Sequence, residues 1–264
     1  MTMQKYLIAL LIVGALGTGI AINFRSIKNF LSNHKILQIQ VKQQVALMRI
    51  EGSITSARPS MNQIEQAADS QYKGLIIHID CGGGLAGSAN MLFLELKRLQ
   101  KSKPIVVVVE NTCCSGAYWL ACAADYIIAP ASADIGNIGA RQTLEREPTV
   151  KSESEKSYII LQAGKYKSAG DPHTPLTDEH IDYLQNLVEG TYDEFSKDVA
   201  ESRNLSLDKR HEWADGQIFK SSDAVQNGLI DKVGCYSDAV DTMKDLLQQR
   251  NIDVSAGLDI VEIE

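Results

Sequence analysis

Residues 104–124 read PIVVVVENTCCSGAYWLACAA. The apolar run Pro104–Glu110 predicts a buried strand, and the small residues of Ala117–Ala124 are compatible with a helix. Ser115 is therefore expected at a strand-to-helix turn, where free N–H groups and the helix dipole favour a developing negative charge. Gly116 lets another molecule's backbone come close. The position suits a nucleophile, but it also suits an ordinary helix N-cap serine.

Strands and helices are predicted to alternate along the chain, which indicates an α/β fold. Because such strands are joined by crossovers, we expect a mostly parallel sheet with flanking helices. Besides the stretch above, the predicted strands are Gln44–Glu51, Lys73–Asp80, Tyr126–Pro130 and Ser157–Gln162; the predicted helices are Met61–Ala68, Ser88–Leu99, Leu176–Val199 with Thr177 as N-cap, and Asp238–Gln249; glycine turns are expected at 82–84 and 135–139, and a charged loop at 141–156.

Composition and charge narrow the range of functions. The 264 residues, 44% of them hydrophobic, are enough for a sizeable core in one or two domains. A net charge of −7 argues against a nucleic-acid-binding surface, which needs a basic field. The five histidines show neither HxH nor HExxH spacing, so we predict no metal site.

The five cysteines show no CxxC pattern. Cys113 and Cys114 are adjacent, a spacing that disfavours a disulfide between them. We interpret these two, together with Cys81 and Cys122, as small buried residues. The sequence gives no support for a redox role.

An uncharged N-terminal segment, Tyr6–Phe24, lies between two basic residues. Its nineteen residues would form a helix of about 28 Å, close to the thickness of a bilayer's hydrocarbon core. The segment is interpreted either as a retained membrane anchor or as an export signal cleaved near Ala21. We favour the anchor, because Ile20, Ile22 and Phe24 continue the apolar run.

The stretch Gly82–Gly87 fits the dinucleotide-binding pattern GxGxxG. It follows a predicted strand, opens a predicted helix, and is followed after the next strand by the acidic Glu110. Asp80 opposes this hypothesis, because it would place a negative charge beside a pyrophosphate. The same glycines could instead present backbone N–H groups to an oxyanion.

Two kinds of base could activate Ser115. A Ser-His-Asp set would use His78 or His173 with Asp80, although spacing alone brings none of them near the serine. The alternative is Lys167, which follows an apolar strand. A lysine amine that burial keeps neutral can accept the serine proton and return it to the leaving amine.

Several motifs, in order, resemble those of the signal peptide peptidase A (protease IV) family, serine–lysine peptidases of the ClpP/crotonase fold. The resemblance runs from about Val45 to Gly234 and rests on their joint order. The motifs are Gly74–Asp80 with Cys81-Gly-Gly-Gly84, the helix ending Glu95-Leu-Lys-Arg-Leu99, Cys114-Ser-Gly-Ala-Tyr118, Ile135-Gly-Asn-Ile-Gly139, Gly164-Lys-Tyr-Lys-Ser-Ala169, Leu176-Thr-Asp-Glu179, Ala214-Asp-Gly-Gln-Ile-Phe219, Ala224, and Gly228-Leu-Ile-Asp231.

The resemblance implies a role for each matching residue. Ser115 would be the nucleophile and Lys167 the general base. The N–H of Gly83 or Gly84, together with that of Gly116, would form the oxyanion hole, and no cofactor would be needed. The chain departs from the family pattern where Cys-Gly replaces Ser-Pro before the two glycines, and where Asn137 replaces a common serine. Sequence proximity to these motifs suggests three substrate-binding candidates: Leu85, Tyr118 and Trp119.

The resemblance also implies an organisation. Residues 1–24 would be a transmembrane anchor or signal segment, 25–42 a juxtamembrane stalk, 43–250 the peptidase domain and 251–264 a C-terminal tail. The expected protein is a single-pass, membrane-associated serine endopeptidase with its catalytic domain on the extracytoplasmic side.

The substrates implied are remnant signal peptides or other short hydrophobic peptides. The expected partners are the membrane and further copies of the chain, in a homo-oligomer whose active sites are shared between subunits. Two alternatives remain at this stage: a Rossmann-type NAD(P)-dependent oxidoreductase, and a non-catalytic membrane scaffold on a protease fold.

Overall fold

The computed structural model describes residues 41–145 and 159–264. The predicted anchor 1–24, most of the predicted stalk and the greater part of the predicted loop 141–156 lie outside these residues. Within the two described ranges, no helix combines the length and apolar character needed to cross a membrane.

Eight strands of the described residues form one sheet. Their order is β6-β5-β3-β2-β1-β8, with β4 placed between β3 and β7. Every pairing is parallel except that of β5 with β6. The strands are β1 Gln43–Ile54, β2 Tyr72–Gly84, β3 Ile105–Cys114, β4 Tyr126–Ala129, β5 Asp134–Gly136, β6 Ile218–Lys220, β7 Lys232–Val233 and β8 Leu258–Glu262.

Strand β3 has two different neighbours along its length. Its first half, Val106–Val108, pairs with β4, and its last residues, Thr112–Cys114, pair with β5. The sheet therefore changes partners just before Ser115, which leaves that residue at the carboxyl end of a central strand. The carboxyl ends of parallel strands are the usual location of ligand sites in α/β proteins.

Helices cover both faces of the sheet. The α-helices are α1 Arg58–Ala67, α2 Ala86–Gln100, α3 Gly116–Ala121, α4 Asp178–Arg203, α5 Arg210–Trp213, α6 Ser221–Gln226 and α7 Tyr236–Gln249. Helices α1 to α4 contribute to the hydrophobic core on one face of the sheet. Helix α7 covers the other face, where it packs on β2, β3 and β4.

The long helix α4 has two unlike halves. Thr177 caps its first turn by accepting the His180 N–H, which confirms the predicted N-cap. Its last turns pack into the core through Phe195 and Val199. Its first half leaves apolar side chains such as Ile181 and Leu187 about half exposed.

Four sequence predictions differ from the structure. Residues 82–84 continue β2 rather than forming a tight turn, because Gly84 pairs with Ile54 of β1. Residues 159–162 form no strand. The predicted turn 135–139 overlaps a strand, Asp134–Gly136. The predicted tail 251–264 contains β8, which joins the sheet at the edge of β1.

Candidate active site

Ser115 lies in the turn between β3 and α3 with an unusual backbone conformation. Its φ is 53° and its ψ is −128°. A non-glycine residue at such a φ costs about 1–3 kcal/mol and persists only where its surroundings hold it. Here the Ser115 N–H donates to the Gly136 carbonyl of β5 at 2.7 Å, and the Ser115 carbonyl accepts from Trp119 N–H at 3.0 Å. The core therefore fixes the serine's backbone on both sides.

Two glycines lie directly against this serine. A Cβ placed on Gly83 would be 2.7 Å from Ser115 Cβ and 2.8 Å from the Gly116 nitrogen. A Cβ placed on Gly116 would be 2.9 Å from Ala89 Cβ and 3.4 Å from the Gly84 nitrogen. Only residues without a side chain fit at either position, so the end of β2 and the serine turn are in backbone-to-backbone contact.

The directions of the N–H groups distinguish Gly83 from Gly84. The Leu85 N–H donates to the Ile54 carbonyl of β1 at 2.8 Å. The Gly84 nitrogen lies beside the Ser115 turn, since a Cβ on Gly116 would be 3.4 Å from it. The Gly83 N–H is already donated to Cys81 Sγ at 3.4 Å. Gly116 is the first residue of α3, where an N–H has no partner within the helix.

Four of the cysteines are buried around this turn, as the sequence predicts. Burial raises the pKa of Cys81, raises that of Cys113 well above its ordinary value, and raises those of Cys114 and Cys122 to about 11 and about 12. All four thiols therefore stay protonated near neutral pH. A protonated thiol is a poor nucleophile and a poor metal ligand.

The three substrate-binding candidates fall in different places. Tyr118 and Trp119 are 0% and 2% exposed. Tyr118 donates to the Leu229 carbonyl, and Trp119 stacks on Phe195 with ring centroids 4.6 Å apart. Their side chains have no surface to offer a substrate, which corrects the sequence-based suggestion: the short helix α3 turns both into the core. Leu85 is 60% exposed at the start of α2.

Lys167 is exposed and lies in a segment without strands or long helices. It lines an open depression of about 610 Å³ whose lining residues all lie between 160 and 171. Ser115 is not among them. Within the described parts of the chain, neither the Ser115 hydroxyl nor the Lys167 amine has a side-chain hydrogen-bond partner. The structure thus assembles the serine with the glycines but does not join the serine to the lysine.

The segment that carries Lys167 is attached to the first half of α4. The Lys165 amine forms an ion pair with Glu179. Tyr166 stacks on Tyr183 with ring centroids 4.4 Å apart. These contacts hold the segment to α4, and Gly170 at its end also lies against Leu144.

His78 and Asp80 do not form a hydrogen-bonded pair in the structure. His78 contacts Arg49 at 3.3 Å and Glu110 at 3.4 Å on the face of the sheet that carries α7. Asp80 accepts from the side chain of Asn111 and from the Thr112 N–H. Asp80 thus holds the end of β3 and does not orient His78. In the described ranges, no group of three or more His, Cys, Asp or Glu residues could hold a metal ion.

A strained serine at the end of a central strand, packed against two glycines that leave no room for a side chain, fits a serine hydrolase. A mutant ClpP1 from Listeria monocytogenes matches 73% of this chain and 93% of its own, with a TM-score of 0.51 at 12% identity. This likeness confirms the expected α/β ClpP-like fold.

The model of peptidase family S49 matches residues 97–250, more than half of the chain. The chain therefore belongs to peptidase family S49, a family of serine-type peptidases. A putative protease of Methanocaldococcus jannaschii is 36% identical over 70% of this chain and 60% of its own length. A putative signal peptide peptidase SppA of Enterococcus faecium is 27% identical over 81% of this chain and 64% of its own. The chain thus spans a little under two thirds of these two relatives.

Proposed function

We propose that the chain is a membrane-associated serine endopeptidase that uses Ser115 as nucleophile and Lys167 as general base. The observation that carries the proposal is the close packing of Gly83 against Ser115 and of the Gly84 nitrogen against Gly116. Membership of a peptidase family supports hydrolysis over the dinucleotide-binding alternative and over a non-catalytic scaffold.

The proposed chemistry is acyl transfer to a serine. Ser115 Oγ attacks the scissile carbonyl while its proton passes to the Lys167 amine, which accepts it only in the neutral form. The carbonyl oxygen becomes an oxyanion, which accepts hydrogen bonds from the N–H groups of Gly84 and Gly116. The protonated lysine then donates to the leaving amine. Water hydrolyses the acyl-enzyme by the same steps and frees Ser115.

We further propose that the serine and the lysine come from neighbouring copies of the chain. The lysine lines a depression without Ser115, and side chains of its segment contact the exposed half of α4. Apolar side chains near it are strongly exposed, among them Ile159 at 90% and Leu161 at 92%. An exposed apolar patch commonly marks a protein interface. A head-to-tail interface between identical copies forms a ring when its rotation closes.

The proposed substrates are signal peptides or other short hydrophobic peptides, cleaved at a membrane surface on the extracytoplasmic side. The apolar segment Tyr6–Phe24 supports the membrane association. The similarity to a protein named a signal peptide peptidase supports the substrate class. Leu85, 60% exposed beside the oxyanion glycines, is the remaining candidate for contact with an apolar substrate side chain.

A mixing experiment tests the shared site. Ser115→Ala and Lys167→Ala chains are each expected to be inactive on a hydrophobic fluorogenic peptide. When they are co-expressed and randomly assembled, about one quarter of the sites would combine an intact serine with an intact lysine from the neighbour. Recovery of that activity supports pairing between chains. Persistent inactivity of the mixture, with each variant folded, would place both residues in one chain.

The catalytic assignment has its own control. A serine-reactive peptidyl phosphonate should label the wild-type protein at Ser115, as read by mass spectrometry, and should leave Ser115→Ala unlabelled. A Lys165→Ala chain serves as the matched control for Lys167→Ala, because Lys165 is occupied by Glu179. Full activity in Lys167→Ala would remove the lysine from the mechanism.

A further inference from the structure

Two side chains hold the carbonyl of Gly83 on the side away from Ser115. The Ser53 hydroxyl, from the end of β1, donates to the Gly83 carbonyl oxygen at 3.3 Å. The Cys81 thiol, two residues earlier in β2, lies 3.7 Å from the same oxygen in donor geometry. Cys81 Sγ also accepts the Gly83 N–H at 3.4 Å. Gly83 is therefore held through both its donor and its acceptor.

The Gly83 carbonyl and the Gly84 N–H belong to one peptide group. In a planar trans peptide these two bonds point in opposite directions. Fixing the carbonyl on the β1 side therefore fixes the Gly84 N–H on the opposite side. That is the side of Gly116, whose hypothetical Cβ would lie 3.4 Å from the Gly84 nitrogen.

The glycines alone do not hold this orientation. Gly83 has a φ of 105°, a region that glycine enters freely. The Gly83–Gly84 peptide can therefore rotate about Gly83 unless hydrogen bonds to its carbonyl restrain it.

We propose that Ser53 and Cys81 are positioning residues that aim the Gly84 N–H at the oxyanion. Neither touches the substrate; both act through the Gly83–Gly84 peptide. Burial raises the pKa of Cys81, which keeps the thiol protonated and able to donate. The inference rests on the proposed function of Gly84 as an oxyanion donor.

Kinetics of the full-length protein test the proposal. Loss of an oxyanion donor lowers kcat about 10²–10³-fold, so loss of a group that only orients the donor should cost less, about tenfold. Ser53→Ala is expected to lower kcat by about that factor with KM unchanged. Ser53→Thr keeps the hydroxyl and should restore most of the rate. Ser56→Ala is the matched control, because Ser56, three residues further along the chain, accepts the Arg58 N–H and, within the described ranges, makes no hydrogen bond with Gly83.

The Cys81 arm uses a second pair of variants. Cys81→Ser keeps a donor and an acceptor and should retain kcat, whereas Cys81→Ala removes both and should lower it. Thermal melting of each variant checks that the fold is intact. Equal rates in Ser53→Ala and wild type would overturn the role of Ser53, and an equal loss in Ser53→Thr would show that packing rather than the hydroxyl matters.

A structural readout separates this proposal from the proposed function. Crystal structures of wild type and Ser53→Ala should differ in the orientation of the Gly83–Gly84 peptide. If wild type cleaves no peptide, the proposed peptidase activity fails while this comparison still decides the role of Ser53. If wild type is active and the peptide keeps its orientation in Ser53→Ala, only the positioning role fails.

Discussion

The nucleophile side and the base side of the candidate site are built very differently. Ser115 is held by β5, by its own helix and by glycines that leave no room for a side chain. Lys167 lies on an exposed segment attached to the first half of α4. The contrast indicates that folding of a single chain completes the surroundings of Ser115, the proposed nucleophile, but leaves Lys167, the proposed base, to be positioned by something further, for which a neighbouring copy is the proposed source.

Removal of the reacting groups gives the largest expected effect. In a serine peptidase, loss of the nucleophile can lower kcat by about 10⁶-fold. Ser115→Ala and Lys167→Ala should each reduce peptide hydrolysis by at least about 10⁴-fold, while Lys165→Ala stays close to wild type. Initial rates on a fluorogenic peptide measure this. If Lys165→Ala lost as much activity as Lys167→Ala, the result would indicate that hydrolysis depends on the whole segment rather than on the Lys167 amine.

The next largest effect concerns the glycine contacts. Gly116→Ala would place a Cβ 2.9 Å from Ala89 and 3.4 Å from the Gly84 nitrogen, within the proposed oxyanion hole. We expect kcat to fall about 10²-fold, as for loss of one oxyanion donor. Gly82→Ala, with nothing within 4 Å, is the control and should be nearly silent. Kinetics and thermal melts compare the two variants. A wild-type kcat in Gly116→Ala would contradict the prediction.

The anchor of α4 on the nucleophile side offers a stability test. The Arg203 side chain is 9% exposed and donates to both carboxylate oxygens of Asp231 and to the Gly228 carbonyl. Removing one partner of a buried pair is expensive, so Arg203→Ala should lower the free energy of unfolding by about 3 kcal/mol. Lys165→Ala, which removes an exposed ion pair on the base side, should leave it unchanged. Urea unfolding measures the free energy of unfolding of both variants. Equal losses of stability in Arg203→Ala and Lys165→Ala would contradict the predicted difference between the two ends of α4.

The smallest expected effect involves Asp198, which joins α4 to α3 by accepting the Trp119 indole N–H at 2.8 Å. Burial raises the pKa of Asp198. The folded state therefore binds this proton more tightly than the unfolded state, so wild type loses stability as the pH rises above about 4.

Asp198→Asn removes the charge and keeps an acceptor for Trp119. Its melting temperature should exceed that of wild type by about 2 °C at pH 7.5, and the gap should narrow towards pH 4.5. Melts at the two pH values provide the measurement. A gap that widens on acidification would reverse the assigned direction of the pKa shift.

The sequence predicts most of the sheet because its central strands carry continuous apolar runs. The predicted strand at Pro104–Glu110 and the turn at Ser115 correspond closely to β3 and its end. Thr177 was identifiable as a cap because two acidic residues follow it. Strand β8 was missed, since its five residues are only half buried and nothing in the local pattern shows that β1 offers them an open edge.

Parts of the candidate site could not be read from sequence for a geometric reason. Nearness along the chain does not give side-chain direction, so Tyr118 and Trp119 were placed beside the substrate, whereas both point into the core. The choice between Gly83 and Gly84 depends on which N–H faces β1, and only the register of β1 with β2 decides it. The contribution of Ser53 depends on the same register across thirty residues.

The length of α4 sets the distance between the core and the segment that carries Lys167. Its 26 residues span about 39 Å, with the core at one end and the lysine-bearing segment at the other. Insertion of a single residue near Gly190 would advance the distal half by about 1.5 Å and rotate it by about 100°. The fold of the sheet would be untouched, yet Lys167 would face a different direction. The number of residues in α4, together with its contacts to Lys165 and Tyr166, therefore sets where Lys167 lies relative to the core.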